Sequence, residues 1–330
     1  MIGRLRRELA AALDRRTGPL SDRLDRLGEA FAAQQSALAA LIERAERQGG
    51  QFEHQAALLE RQAARLEGLA EEVVGLRERL EGEVAPVLRS IAADDPGHRR
   101  RLEGLRADPG YAAAWEEPDP LVTISIPAWN RPRLLAERSL PSALAQTYGH
   151  VEVIVVGDAA GPEIAAAVEA AGDPRARFVN LTHRWVRPGA SHWLTASTLA
   201  RNEAYRLARG HWLVDLDDDD ALRPDAVAAL LAHAREHRLE AVYGDHEQHH
   251  PDGSAERLGG FPPEWGRFGW QGAVVHSGLR FFAREHVAAD LGLPGDWFRV
   301  QRMLRAGVRI GRLDRVTCDY YPSNLWGAGA

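Results

Sequence analysis

The sequence predicts an α/β fold, a mostly parallel sheet flanked by helices, preceded by a long α-helical coiled coil. Three observations carry this. Short β-branched runs alternate with helical patterns after Pro120, large side chains recur at spacings of three and four before residue 90, and one strand ends in the aspartates Asp217, Asp218, Asp219 and Asp220.

The opening region, 1–90, reads as helix. From Leu20 through Leu27, Phe31, Leu38, Leu41, Leu59, Leu66, Leu69, Val73, Leu76 and Val87 the apolar positions follow a heptad. The pattern outlasts the roughly 3–4 heptads that argue for a coiled coil. Gln34, Gln48, Gln55 and Gln62 fall in the same seam, where buried amides weaken packing but set alignment. Gly49–Gly50 is the expected hinge. A helix folded back on a globular domain is the competing reading; self-association into a homo-oligomer is preferred. The stretch 91–120 carries Pro96–Gly97, Pro109–Gly110, Pro118 and Pro120 and is expected to be a linker with one short helix.

From residue 121 to 323 the period changes, and 324–330 is a short tail. Leu121–Pro127 and Val151–Val156 are runs typical of strands buried on both faces. Between them Pro132–Gln146 spaces Leu134, Leu135, Leu140 and Leu144 as a helix does. Ile164–Ala171, Arg177–Leu181, Ala196–Ala208 and Trp212–Leu216 continue the alternation. In sheets of this kind ligands bind beyond the carboxyl ends of the strands. Trp129–Asn130, Asp158 and the aspartate run all stand there. Four adjacent carboxylates at a strand end repel one another, so a hard divalent cation (Mn²⁺ or Mg²⁺) is the expected counter-charge, with a solvated acidic turn capping the next helix as the alternative.

Composition narrows the function. The net charge of −6 offers no footprint for nucleic acid. All 41 basic residues are arginine, a side chain suited to phosphate. The single Cys318 excludes an intrachain disulfide and fits a reducing compartment. No apolar run reaches the ~20 residues that cross a bilayer, and the opening residues lack the apolar core of a secretory signal. A cytoplasmic, bacterial protein with at most peripheral membrane contact is expected.

The blocks LVTISIPAWNRPRLLAERSLPSALAQTYGHVEVIVVGDAA, ARNEAYRLARGHWLVDLDDDDALRP and LPGDWFRVQRMLRAG occur in this order. Together they resemble a family 2 glycosyltransferase with a GT-A (Rossmann-like) fold, over approximately Leu121 to Tyr321. The resemblance implies a metal-dependent, inverting transfer of a sugar from a nucleotide-diphosphate donor to an acceptor hydroxyl on a glycan, a lipid-linked chain or a secondary metabolite. It places Asp158 on the nucleotide base, with Pro127 and Trp129 beside it, and favours UDP- or dTDP-sugars without excluding guanosine. It places Asp218 on the ribose, Asp219 on the metal, Asp217 beside them as part of the nucleotide-sugar site, and Arg201 toward the diphosphate. Asp296, opening a helix expected over Trp297–Leu304, is implied as catalytic base, with helix capping as its alternative role. His276 is a candidate for the acceptor side, with a buried strand histidine satisfied by backbone contacts as its equal alternative. His246, His249 and His250 read as loop histidines on a hairpin rather than a metal site.

Two departures stand out. Gly157 and Ala159–Ala160 flank Asp158 where the family usually has a further acidic residue, so the loop loses hydrogen-bonding capacity. The segment Gly244–His276 carries no acceptor signature. A degenerate binding module with a scaffolding coiled coil is the alternative function. A nucleotidyltransferase is disfavoured because PAWNRPRLL is no glycine-rich phosphate loop, and a dehydrogenase because no G-x-G-x-x-G follows either early strand.

Overall fold

The computed structural model describes residues 26–44, 47, 53–79, 82, 85–185 and 194–322. The chain divides into two compact units, Met1–Asp94 and Asp95–Ala330. In the first, residues 26–44 and Glu53–Arg79 are helical. The seam residues Leu27, Leu41, Leu69 and Leu76 remain 40–54% exposed on the single chain. The hinge expected at Gly49–Gly50 and the tail 324–330 lie outside the described residues. Among the described residues no helix is long and apolar enough to cross a membrane.

The second unit is built on one mixed nine-stranded sheet: β1 Val122–Ala128, β2 Val151–Gly157, β3 Ala176–Asn180, β4 Trp212–Asp215, β5 Ala221–Leu222, β6 Ala241–His249, β7 Ala255–Leu258, β8 Val274–His276 and β9 Ile310–Tyr320. The order is β3-β2-β1-β4-β8-β6-β9-β5, with β7 paired to β6. β3, β2, β1 and β4 are parallel, as their sequence patterns require. Beyond β4 the mostly parallel sheet becomes mixed: β8 runs antiparallel to β4 and β6 antiparallel to β8, while β9 pairs parallel with β6. β8 follows β6 through the hairpin strand β7 and loops, which lets it run antiparallel, whereas β9 returns through helix Gly295–Ala306 and so lies parallel to β6.

Strand alternation explains the two covered faces. Val153 and Val155 of β2 join Leu135, Leu140 and Ile164 on one side. Ile154 and Val156 meet Ala200, Ala204 and Tyr205 on the other. The first face is covered by the helical segment Pro132–Leu134, its π-helical turn Leu135–Ser139, Leu140–Leu144, and the helices Pro162–Ala170 and Ala226–Glu236. The second is covered by Thr198–Leu207. Each such buried aliphatic contributes about 1.5–3 kcal/mol of transfer free energy. β1 alternates Val122, Ile124 and Ile126 with Thr123 and Ser125, so its second face is polar and receives a buried charged network.

The stretch expected as a linker is largely helical. Helix Ala85–Ala107 carries Pro96 inside it, and Ala113–Glu116 follows. Leu102 enters the cluster of Tyr243, Val275, Phe282, Val300 and Met303. Arg106 makes a bidentate pair with buried Glu240 at 2.8 and 2.7 Å, and Trp115 Nε1 donates to Leu239 O. Tertiary burial here outweighs the breaking tendency of proline and glycine.

Candidate active site

The carboxyl ends of β1, β2 and β4 open into a cleft of about 590 Å³, within the size range of ligand sites. Of the residues expected there, Pro127, Trp129, Asp158, Asp217, Asp218, Asp219 and Asp296 line it. Arg201 and His276 do not.

Trp129 follows β1 and is 43% exposed. Arg184 lies with its guanidinium 3.5 Å from the centre of that ring and donates from Nε to Asp158 Oδ2 at 3.0 Å. Among the described residues Asp158 Oδ1 is buried without a side-chain partner. Burial pushes this carboxyl up, against the pull of Arg184 and of the Ser197 backbone, which draw it down. The loop around Asp158 recovers its hydrogen bonds from Asn180 of β3, whose amide accepts from Ala160 N at 3.0 Å and donates to Ala160 O at 2.8 Å. A Cβ on Gly157 would stand 2.3 Å from Asn180 Oδ1, so this arrangement needs glycine there.

The four aspartates have separate duties. Asp217 is held from behind by Arg201 Nη2 at 2.5 Å and by Gln271 Nε2 at 3.0 Å. Burial opposes its ionisation, yet Arg201 and Arg284 hold its carboxyl below the usual range. Asp218 and Asp219 share Arg131, whose two terminal nitrogens divide between them. Asp220 is fully buried, accepts Tyr321 N at 2.9 Å and leaves Oδ2 without a partner. Its side chain serves the packing of β9 and is absent from the cleft wall.

The donor set suits a hard divalent cation. Burial pushes Asp218 up to about 6, against Arg131, and Asp219 up to about 7, with the neighbouring aspartates adding to the rise. One guanidinium therefore does not neutralise the group, and these oxygens match a Mg²⁺ or Mn²⁺ ligand set.

Two expectations need correction. Arg201 is fully buried, donating from Nη1 to Ser125 O at 2.7 Å and Leu216 O at 3.2 Å. It orients Asp217 from within the sheet instead of facing a diphosphate. His276 pairs in register with Trp212, at the opposite end of β4 from Asp215. It packs on Trp115 and Tyr111 at ring separations of 4.9 and 5.0 Å, and Nδ1 accepts from Gly278 N. It is a core histidine, away from the cleft. Conversely His246, expected in an exposed loop, is buried on β6 and lines the cleft, with Nε2 at 2.9 Å from Gln271 O. Gly269 allows this ring its place, since a Cβ there would stand 1.8 Å from it. His249 sits 2.7 Å from Asp319 beside Glu247, but Arg223 already supplies a cation to both carboxylates.

Asp296 stands in the first turn of helix Gly295–Ala306, and its Oδ1 accepts Trp297 N at 2.7 Å. The rim on this side carries Trp265, 58% exposed, and Phe268. Arg131, Arg184, Arg284, His246 and Gln271 were not singled out by pattern for this site, because an isolated charged or polar residue in a loop has no periodicity to betray it.

The strand ends of one α/β sheet gather carboxylates, arginines and an exposed tryptophan around one cleft, and the class of protein follows from the sequence match. The sequence profile of glycosyl transferase family 2 matches residues 123–287, half of the chain, and the chain belongs to that family. The putative colanic acid biosynthesis glycosyl transferase WcaA of Escherichia coli K12 is 33% identical over 120 residues, covering 36% of this chain and 39% of that protein. Succinoglycan biosynthesis protein ExoO of Rhizobium meliloti is 37% identical over 115 residues, covering 35% and 30%. The chain thus spans well under half the length of these relatives. The structure of S. aureus TarS 1–349 in complex with UDP aligns over 61% of this chain and 60% of that one, at 15% identity and a TM-score of 0.47.

Proposed function

We propose that this protein transfers a sugar from a nucleotide-diphosphate donor to an acceptor hydroxyl, with inversion at the anomeric carbon. The observation that carries this is the meeting of Asp218, Asp219, Asp158 and Asp296 around one cleft. Trp129 offers its face to the base. Asp158 Oδ1 would accept one N–H of the base, and Arg184, which donates to Oδ2, would offer its remaining N–H groups to a neighbouring carbonyl oxygen. That pair suits the imide edge of uracil or thymine, which sets one donor between two acceptors. Guanine presents two adjacent donors and would need both oxygens of Asp158.

Asp219, with Asp218, would hold Mn²⁺ or Mg²⁺, which when bound neutralises charge growing on the leaving diphosphate. With the cation in place, Arg131, now shared by the two carboxylates, would be available to the phosphates. Asp296 takes the proton of the acceptor hydroxyl, whose oxygen forms a bond to the anomeric carbon. The bond from that carbon to the diphosphate breaks on the opposite face, its electron pair leaving with the phosphate oxygen.

The acceptor we propose is a glycan. Two relatives are named for colanic acid and succinoglycan biosynthesis, and exposed Trp265 on the Asp296 side is a flat surface for a sugar ring. The helices of the first unit are proposed to self-associate through the exposed Leu27, Leu41, Leu69 and Leu76, an apolar seam that one chain leaves uncovered. Sedimentation of the full chain reads that directly; a monomer at micromolar concentration would sink it.

Calorimetric titration of UDP, dTDP and GDP, with Mn²⁺ and with chelator, tests the donor site. Metal-dependent binding of a pyrimidine diphosphate, lost in Asp219→Asn, is expected. Binding without any transfer to glycan acceptors would instead support the non-catalytic module.

A further inference from the structure

Arg284 lies beyond β8 on the cleft wall that also carries Ser197, Gly295 and Asp296. Its side chain is 12% exposed. A guanidinium keeps its charge and presents five N–H donors in a fixed fork. Here Nη2 stands 3.4 Å from Asp215 Oδ2, Nε is buried without a partner, and no other hydrogen bond holds the guanidinium among the described residues.

Asp215 is already committed. It accepts from Tyr205 Oη at 2.5 Å and Ser125 Oγ at 3.0 Å, and Arg299 and Arg201 stand 3.5 and 3.7 Å from it. Arg284 is thus the third cation on one carboxylate. The other two are tied to carbonyls, Arg201 to Ser125 O and Arg299 to Phe282 O at 2.7 Å each, and neither lines the cleft. The nearby carboxylates do not complete Arg284 either: Asp217 is bonded to Arg201 and Gln271, and Asp296 accepts from Trp297 N. Its backbone is clamped all the same. Asn202 accepts from Arg284 N and donates to Arg284 O, both at 2.9 Å. A fixed, largely buried cation with idle donors facing a cleft calls for an anionic oxygen from a ligand.

We infer that Arg284 is a donor-binding residue whose guanidinium takes an anionic oxygen of the nucleotide-sugar. That oxygen belongs to the diphosphate or to the carboxylate of an acidic sugar. The inference rests on the proposed donor site.

The test is calorimetry with Mn²⁺ of UDP, UDP-glucose and UDP-glucuronate binding to the unaltered protein, Arg284→Gln and Arg284→Lys. Thermal melts serve as the folding control. Loss of a charge-assisted bond is expected to weaken binding roughly 10- to 100-fold. A loss shared by all three ligands assigns the oxygen to phosphate. A loss confined to UDP-glucuronate assigns it to the sugar carboxylate. Should Arg284→Gln fail to fold, Arg284→Lys carries the test, because it keeps a charge beside Asp215 but not the fork. Unchanged affinities in a folded variant overturn the inference while leaving the donor site intact. Failure of the unaltered protein to bind any nucleotide removes the donor site itself, and the inference with it.

Discussion

Arg184 stacks 3.5 Å from the centre of the Trp129 ring while donating to Asp158 at 3.0 Å. Trp129 follows β1, Asp158 follows β2 and Arg184 comes just after β3, so three neighbouring strand ends build one surface. Trp129→Ala is expected to weaken UDP binding about 10-fold or more, in line with the ~1–3 kcal/mol of base stacking on an aromatic. Trp129→Phe is expected to keep most of the affinity. Equal binding by the alanine variant would remove Trp129 from the base site.

The acidic run sets a pH dependence. Asp218 and Asp219 titrate at about 6 and about 7 in the folded protein, above the ~3.9 of an unfolded aspartate. The folded state therefore holds protons that the unfolded state has already lost. Metal-free stability is expected to fall as pH rises from about 4 to about 7, by up to ~1.4 kcal/mol per pH unit for each proton. Mn²⁺ should raise the melting temperature more at pH ~7.5 than at pH ~5, since the cation needs ionised ligands. Melts across this range, with and without chelator, check both trends.

Asp296 is not the helix cap, which falls on Pro294, and Asp296→Asn separates chemistry from its bond to Trp297 N. Asparagine can still accept from Trp297 N, so stability should change by less than ~1 kcal/mol. Loss of a general base is expected to lower turnover ~10²–10⁴-fold with UDP affinity retained. Steady-state rates beside a melting curve decide this; a variant with near-normal turnover would put the base elsewhere.

Leu102 measures how far residues 95–120 belong to the folded domain. It is 1% exposed among Tyr243, Phe282 and Met303. Leu102→Ala should cost ~2–5 kcal/mol in denaturant unfolding, whereas a residue of a true linker would cost close to nothing.

How much of this was legible beforehand follows from the kind of signal each residue leaves. Val122–Ala128 and Val151–Gly157 were readable because strands buried on both faces become continuous β-branched runs. Asp158 and Asp217–Asp220 stand out as carboxylates at strand ends, whereas Asp296 is reached only through the family resemblance. The helix through Pro96 was not readable, since its support comes from partners such as Glu240, more than a hundred residues away. His246 and His276 are misplaced by sequence for the same reason: a histidine in a strand looks alike whether its ring meets a cleft or a tryptophan.

Local spacing carries the alternation of strands and helices from Leu121 to Leu216 and the strand ends that hold Asp158 and the aspartate run, while the family rests on the resemblance of three ordered blocks. Only the tertiary structure decided which aspartate faces the cleft, which is bound from behind by Arg201 and which is buried beneath Tyr321. It alone brought Arg131, Arg184 and Arg284 to their carboxylates. Electrostatic partnership depends on distance in space, and the crossings of the chain that set those distances leave no mark in the spacing of residues along it.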